Sequence, residues 1–470
     1  MKKLLLPLVI GMAIVSCGSK SDPEPPGPKP NPNPANPKDT ITDVKPSALM
    51  DWGDYETEKK EAMARVDQYR KGDVTLSFEL EDGTPLEDVA VKIALKRHDF
   101  HWGAADNNLL TSATNHMELR QTFLKYFNTT TPANALKPKQ RESDQEVDAE
   151  ESLLPWCKLN NIAVRGHTMA WEGESYLRPE QKTIYESTTL SDQEKGEQLL
   201  ASANVHIDHC AEKWDVMCWD VSNEPINNDL INDLLPEMDT HVDHFKQARK
   251  MLDKNGRRKV KLFENDYQII TMIQPWALNH KKPGFTQTGR LAIYKEIIRR
   301  HIEAGAKVDG IGFQSRIKDG MLTPDLIYSR LCEFDEFNLP YQATEFEIRN
   351  NPNGKRYTDT ERQLLTEYMM VTYLSHPRVE AFVHWTFCGS ADYALFMING
   401  KPNVNGKKWI QMMEGYFNTA FTRAAQGGKL DMLGYFGDYE ATAITSGEVK
   451  VTGKFSIKKD GADKITVVLR

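Results

Sequence analysis

Cysteine is scarce in this chain. There are six in 470 residues, and those after Cys17, namely Cys157, Cys210, Cys218, Cys332 and Cys388, are odd in number and fall without paired spacing. That pattern excludes a disulfide framework or a cysteine-built zinc site and leaves buried thiols. Positive charge is also short. With 59 Lys and Arg against 67 Asp and Glu the net charge is -8, which argues against a nucleic acid partner, because phosphate binding needs a clustered positive surface. Metal motifs are lacking as well. His206 and His209 in "HIDHC", and His241 and His244 in "HVDHF", have a spacing that can share a helix face, yet neither pair has further ligands nearby. They are expected to be solvated or core-edge histidines, and no metal or other cofactor is expected. The apolar run at residues 4–15 is too short to span a bilayer.

What is present is the composition of a soluble globular protein, 40% hydrophobic and 27% charged, enough for one large domain with appendages. Lys2 and Lys3 precede the apolar run, which ends at "VSCGS". This resembles a bacterial lipoprotein signal over residues 1–17, with lipid on Cys17, membrane anchoring and a place in the cell envelope as its implications; a plain secretory signal with a chance cysteine is the alternative. Residues 18–47 include "PEPPGPKPNPNPANP", which cannot build a core and reads as a semi-rigid tether.

Beyond the tether, short strand-like runs alternate with helical patterns. The runs are "HWGAAD", "NTTTPANALK", "AVRGHTMAW", "CWDVSNEP", "VKLFENDY", "DGIGFQSRI", "YQATEFEI" and "AFVHWTF". Amphipathic stretches such as "HFKQARKMLDKNG" and "RLAIYKEIIRRHIEAG" lie between them and end in the Asn-Gly or Gly expected at a helix stop. Eight strand–helix units predict an α/β fold, a (β/α)8 TIM barrel over residues 99–426, with function at the C-terminal strand ends. Residues 48–98 and 427–470 carry alternating runs, including two around the "EDG" turn at Glu81–Gly83, and predict a small β-unit made by the two flanking segments. Whether that unit binds glycan is left open.

Strand alternation sorts the polar residues. In "WDVSNE", Asp220, Ser222 and Glu224 are expected to point into the barrel mouth, as are Glu345 and Glu347 in "ATEFE". His167 and Trp171 share a face, as do Asn265 and Tyr267, and Gln314 and Arg316. Several enclosed carboxylates at one opening point to acid–base chemistry on a polar substrate.

The ordered set "RGHTMAW", "WDVSNEP", "FENDY", "GIGFQS", "ATEFE" and "FVHWTF", spread over about residues 72–426, resembles glycoside hydrolase family 10, the endo-β-1,4-xylanases. The resemblance implies a retaining, metal-independent hydrolase of xylan, with Glu224 as general acid/base, Glu345 as nucleophile, and Glu347 and Asp220 as supporting acids. It implies sugar contacts from Asn134, Lys137, His167, Trp171, Asn223, Tyr267, Gln314 and Trp385. Departures from the family pattern stand at Ala133, Pro138, Glu172, Arg316 and Tyr393; they leave the pair intact and put the exact glycan in doubt. Arg316 and Tyr393 are counted with the binding residues. The expected partner is a β-glycan, most simply xylan. Another decorated, acidic or mixed-linkage β-glycan, or a surface glycan-binding lipoprotein without catalysis, are the alternatives. Oligomeric state is not legible.

Overall fold

The structure, a computed structural model, describes residues 55–272, 289–318, 320, 322–352, 354–444 and 449–470. The expected signal, Cys17 and the Pro-rich tether lie outside the described residues. Among the described residues no helix is long and apolar enough to cross a membrane.

After two strands, β1 (Lys71–Leu80) and β2 (Ala90–His98), the chain enters the barrel: β3 (His101–Asp106), β4 (Thr129–Pro132), β5 (Ala163–Ala170), β6 (Cys218–Asn223), β7 (Lys261–Asp266), β8 (Gly310–Phe313), β9 (Tyr341–Phe346) and β10 (Val379–His384). These eight close in sequence order, β10 pairing with both β9 and β3, and every pairing is parallel. All eight coincide with the strand-like runs of the sequence. Every residue of β6 and β9 is buried, as befits parallel strands with side chains packed inside the barrel and helices outside.

Local sequence sets the surrounding helices. Ser191 with Glu194 and Thr358 with Glu361 form reciprocal capping boxes that open the helices Asp192–Lys213 and Asp359–Ser375. The expected stops are realised: Gly256 follows Thr240–Lys254, and Gly305 follows Arg290–Glu303, both with positive φ.

The flanking segments fold together. β1 sits between β12 (Lys429–Tyr435) and β15 (Lys464–Leu469), while β2 joins β11 (Ala420–Ala424), β13 (Gly437–Ile444) and β14 (Lys450–Ile457) in a second sheet. Along β14 exposed and buried residues alternate strictly, the period of a strand with one wet face. Val74, Leu76, Phe78, Ile93, Phe455 and Val467 fill the space between the sheets. β11 pairs with β2, so the appendage takes in a strand that the reading placed before residue 427. Among its described residues the N-terminal segment also carries a helix, Tyr55–Arg70, ahead of β1. That helix is held by buried Glu367, whose carboxylate receives Tyr55 Oη (3.1 Å), Lys59 Nζ (2.6 Å) and Lys408 Nζ (2.7 Å).

The histidine pairs are not solvated. His206, His241 and His244 are buried, and His209 is only partly exposed. His209 meets Glu146 at 2.7 Å, His241 meets Asp229 at 3.1 Å, and His244 meets Glu172 at 2.7 Å. Carboxylates from neighbouring segments satisfy the imidazoles inside the protein, which a helix's own sequence does not reveal.

Candidate active site

Glu224 follows the end of β6 in a left-handed conformation (φ 59°), and its N–H is fixed to the carbonyl of Asn265 at 2.8 Å. An L-residue adopts this region at a cost, and here the turn aims the carboxyl across the barrel mouth. Two amides hold it: Gln314 Nε2 donates to Oε1 at 2.7 Å and Asn228 Nδ2 to Oε2 at 3.0 Å. Burial, with the charges of Asp266 and Glu345, outweighs the Gln314 hydrogen bond and the Arg316 cation and lifts the carboxyl to about 7. Glu224 therefore retains a proton near neutral pH, the state a proton donor requires.

Glu345 has the opposite setting. It is buried in β9, which alone would raise its pKa, but Arg316, His167 and Lys137 outweigh burial and hold it below the ordinary carboxylate range. Arg316 donates through Nη2 to Glu345 and through Nη1 to Glu347, and its Nε reaches Gln314 Oε1 at 3.1 Å. The planar guanidinium fork suits two carboxylates at once. Two carboxyls at one opening, one protonated and one ionised, are the division of labour that glycosidic cleavage requires.

Gln314 and Arg316 reach the site together, as expected, but not by strand alternation. β8 ends at Phe313, and Ser315 between them is left-handed (φ 58°), held by Phe313 O and Tyr373 Oη. Strand alternation fails outright at Ser222. A register irregularity between Asp220 and Ser222 turns Ser222 Oγ to His241 of the helix Thr240–Lys254, so Ser222 does not face the mouth. Asn223 takes the inward position: its Oδ1 accepts from Asn265 Nδ2 at 2.9 Å, and its Nδ2 is buried without a protein partner. Gly312 allows this arrangement, since a Cβ there would lie 2.6 Å from Asn265 Oδ1.

The other expected residues form the floor and walls. Asp220 binds Arg165 (2.6 Å) and His167 Nδ1 (2.8 Å), so it supports His167 from below. Lys137 donates to Asn134 Oδ1 at 3.0 Å and lies 4.9 Å from the ring centre of Trp171 and 5.7 Å from that of Trp385. Tyr267 Oη donates to Asn227 at 2.7 Å, and Arg290 stacks on the ring at 3.9 Å. Trp385 packs on Ala105 and Ala133, so Ala133 is the small residue beneath the indole. Tyr393 stands further out, its ring under the Arg349 guanidinium, which also binds Glu347 at 3.0 Å.

Glu172 leaves the cleft altogether. Its carboxylate receives Thr240 Oγ1 (2.8 Å), His244 (2.7 Å) and Ile231 N (3.1 Å), and it serves the fold rather than the substrate. Pro138 opens a single helical turn, and its carbonyl accepts from Arg178. The sequence reading missed Asn228, four residues past Glu224, the buried pair Asp266–Arg290 behind Tyr267, and Tyr176. Among the described residues two donor clusters could in principle ligate a metal, Glu172–Asp229–His241 and Cys332–Asp335–His376. In the first both ring nitrogens of His241 are engaged, by Ser222 and Asp229; in the second His376 Nδ1 accepts from Arg378 N, which leaves the proton on Nε2.

Comparison with known proteins follows the same lines. The profile of glycosyl hydrolase family 10 matches residues 91–393. The chain belongs to that family. Among curated relatives it is 28% identical over 426 residues to endo-1,4-beta-xylanase 1 of Arabidopsis thaliana, an alignment covering 87% of this chain and 40% of that protein. It is 24% identical to the anti-sigma-I factor RsgI6 of Acetivibrio thermocellus, covering 88% and 49%. The family 10 chain thus spans less than half the length of these relatives. Of solved structures, xylanase 10B of Thermotoga petrophila in complex with xylobiose superposes with a TM-score of 0.53 at 22% identity, over 68% of this chain and 95% of that one. Native xylanase 10B of Thermotoga maritima gives 0.53 at 23%, over 68% and 96%. At these identities the superpositions establish the barrel.

Proposed function

We propose that this family 10 protein is a retaining endo-1,4-β-xylanase, with Glu345 as nucleophile and Glu224 as general acid/base. The observation that carries the reading is the opposed setting of the two carboxyls, Glu224 lifted to about 7 and Glu345 depressed beside Arg316. In the first step Glu345 attacks the anomeric carbon while Glu224 protonates the departing oxygen; in the second, Glu224 takes a proton from water, which displaces Glu345 and restores the β-configuration. The Nδ2 of Asn223, buried without a protein partner and next to Asn265, which itself reaches Glu345 at 3.4 Å, would donate to the sugar hydroxyl next to the reacting carbon. Xylan as substrate is supported by the xylanases among the relatives. Both Nη groups of Arg316 are engaged by Glu345 and Glu347, which favours a neutral chain at the cleavage point. Lipid on Cys17, with residues 18–47 as tether, would hold the enzyme at the cell envelope.

The second reading is a glycan-binding protein without turnover. It draws on the arginine clamped to Glu345. Purified protein incubated with xylan, mixed-linkage glucan and cellulose, with product sizes followed, decides between them. Xylo-oligosaccharides of intermediate length support the xylanase, products from another glycan reassign the substrate, and binding without products supports the second reading.

A further inference from the structure

Both indoles of the cleft are occupied by protein. Tyr176 lies parallel on Trp171, ring centres 3.5 Å apart and planes 19° apart, and Lys137 lies over the same indole at 4.9 Å. Trp385 is crowded by His167 edge-on at 5.8 Å and by the Arg316 guanidinium at 5.5 Å, and it is 9% exposed. A sugar entering this cleft does not find the free indole of Trp171 that the sequence led one to expect. It finds half-exposed Tyr176, whose hydroxyl lies within the electrostatic reach of Glu224, Glu345, Arg316 and Tyr267.

The position of Tyr176 is built, not incidental. It ends a single helical turn, Glu174–Tyr176, whose N–H returns to the Gly173 carbonyl at 2.9 Å. A Cβ on Gly173 would lie 2.3 Å from Asn228 Oδ1 and 2.7 Å from the Tyr176 ring, so the loop, the ring and Asn228 close on one another. Asn228 is the residue whose amide donates to Glu224 Oε2. Tyr267 is arranged likewise, with one face backed by Arg290 and its hydroxyl fixed by Asn227. Two tyrosines, each backed on one face by protein, therefore stand near the carboxyl of Glu224.

We propose that Tyr176, with Trp171 as its backing, is a sugar-binding platform beside the point of cleavage, and that it helps set the substrate range of the site. Its ring offers an apolar face to a pyranose and its hydroxyl a polar edge, the combination a β-1,4-linked chain requires. The inference rests on the reading of the cleft as a β-glycan hydrolase site, and its test separates the two. Binding of xylohexaose, cellohexaose and a mixed-linkage hexasaccharide is measured by calorimetry on Glu345→Ala protein, with and without Tyr176→Ala or Tyr176→Phe, and kcat and KM are measured on otherwise wild-type protein. Tyr176→Ala is expected to weaken binding of the preferred hexasaccharide about tenfold and to raise KM in step, the scale of one aromatic contact. Tyr176→Phe should keep most of the stacking and so fall between wild type and Tyr176→Ala. Unchanged melting temperature separates this from misfolding; should Tyr176→Ala melt early, Tyr176→Leu is used, which keeps bulk over Trp171 without a flat face. Affinity within twofold of the parent in a folded Ala or Leu variant overturns the platform, whether or not the protein cleaves. Tight binding lost with Tyr176 but no turnover by wild type retains the platform and overturns only the hydrolase reading. Absence of binding to all three sugars overturns both.

Discussion

Arg316 donates through Nη2 to Oε2 of Glu345, at the carboxyl that must stay ionised to attack. The arginine cannot shed its charge, and its second Nη is held by Glu347, so the cation is fixed rather than swept in by a moving side chain. Through Nε and Gln314 the same guanidinium is linked to Glu224, so a single residue bears on both pKa values of the site.

Arg316→Gln is expected to move the whole pH profile upward. Glu345 is ionised above its folded pKa, which Arg316 depresses; without the cation that pKa rises, and the acidic limb of kcat/KM shifts to higher pH by about one unit or more. Arg316 also lowers Glu224, so the basic limb rises too. A pH–rate series on xylan checks both limbs. An acidic limb that stays in place would remove Arg316 from the electrostatics of Glu345.

Asp266 acts on the other carboxyl. Its charge helps to lift Glu224 to about 7, and it is itself buried against Arg290. Asp266→Asn removes the negative charge and leaves the Arg290 cation uncompensated, so the Glu224 pKa falls and the basic limb moves to lower pH. Breaking a buried pair also costs about 3–5 kcal/mol of stability, read by chemical denaturation. A basic limb that rises or stays would contradict this account of Glu224.

Glu172 predicts an acid-labile component of stability. Burial opposes its ionisation, but His241, His244 and Thr240 prevail and its pKa falls to about 2, against 4.5 unperturbed. A depressed carboxylate stabilises the fold fully above its unfolded pKa and loses that contribution as pH falls through the folded one. The difference amounts to about 3 kcal/mol. Glu172→Gln should therefore be markedly less stable than wild type at pH 6, and the gap should narrow between about pH 4.5 and pH 2. Equal gaps at pH 6 and pH 2.5 would show that the carboxylate's charge is not what Thr240 and His244 hold.

Much of this site was legible because barrel strands alternate and because a family pattern repeats in order along them. Glu224, Glu345, Gln314 and Arg316 all meet at the opening where the ordered pattern put them, although Glu224, Gln314 and Arg316 lie beyond the regular strands and do not arrive there by alternation. What it could not see are departures of the backbone from regular strand. The irregularity after Asp220 sends Ser222 outward, and the left-handed Ser315 keeps Gln314 and Arg316 on one side. Nor could it see contacts between distant segments. Glu172 looks like a cleft residue until His244, 72 residues away, is found on it, and Tyr176 has no periodic signature at all. The appendage was legible as alternating runs, but its pairing of β1 with β15 joins residues nearly 400 apart.

Anchoring can be tested apart from catalysis. On the proposed lipidation of Cys17, Cys17→Ser is expected to move the protein from the membrane fraction to the soluble fraction, or to stall its processing, because that lipid would supply the membrane affinity and the tether only reach. Unchanged fractionation and processing would contradict lipidation at Cys17.

The central claim is that Glu345 attacks and Glu224 donates the proton. Glu345→Ala and Glu224→Ala should each lose about 10³-fold or more of activity on xylan. The most direct measurement is the anomeric configuration, by NMR, of the glycosyl azide formed when each variant acts on an activated aryl β-xyloside with azide. The account predicts an α-azide from Glu345→Ala, where azide replaces the nucleophile, and a β-azide from Glu224→Ala, where azide attacks the glycosyl-enzyme. The same anomer from both variants, or near-normal turnover by Glu345→Ala while Glu347→Ala is inactive, would contradict it.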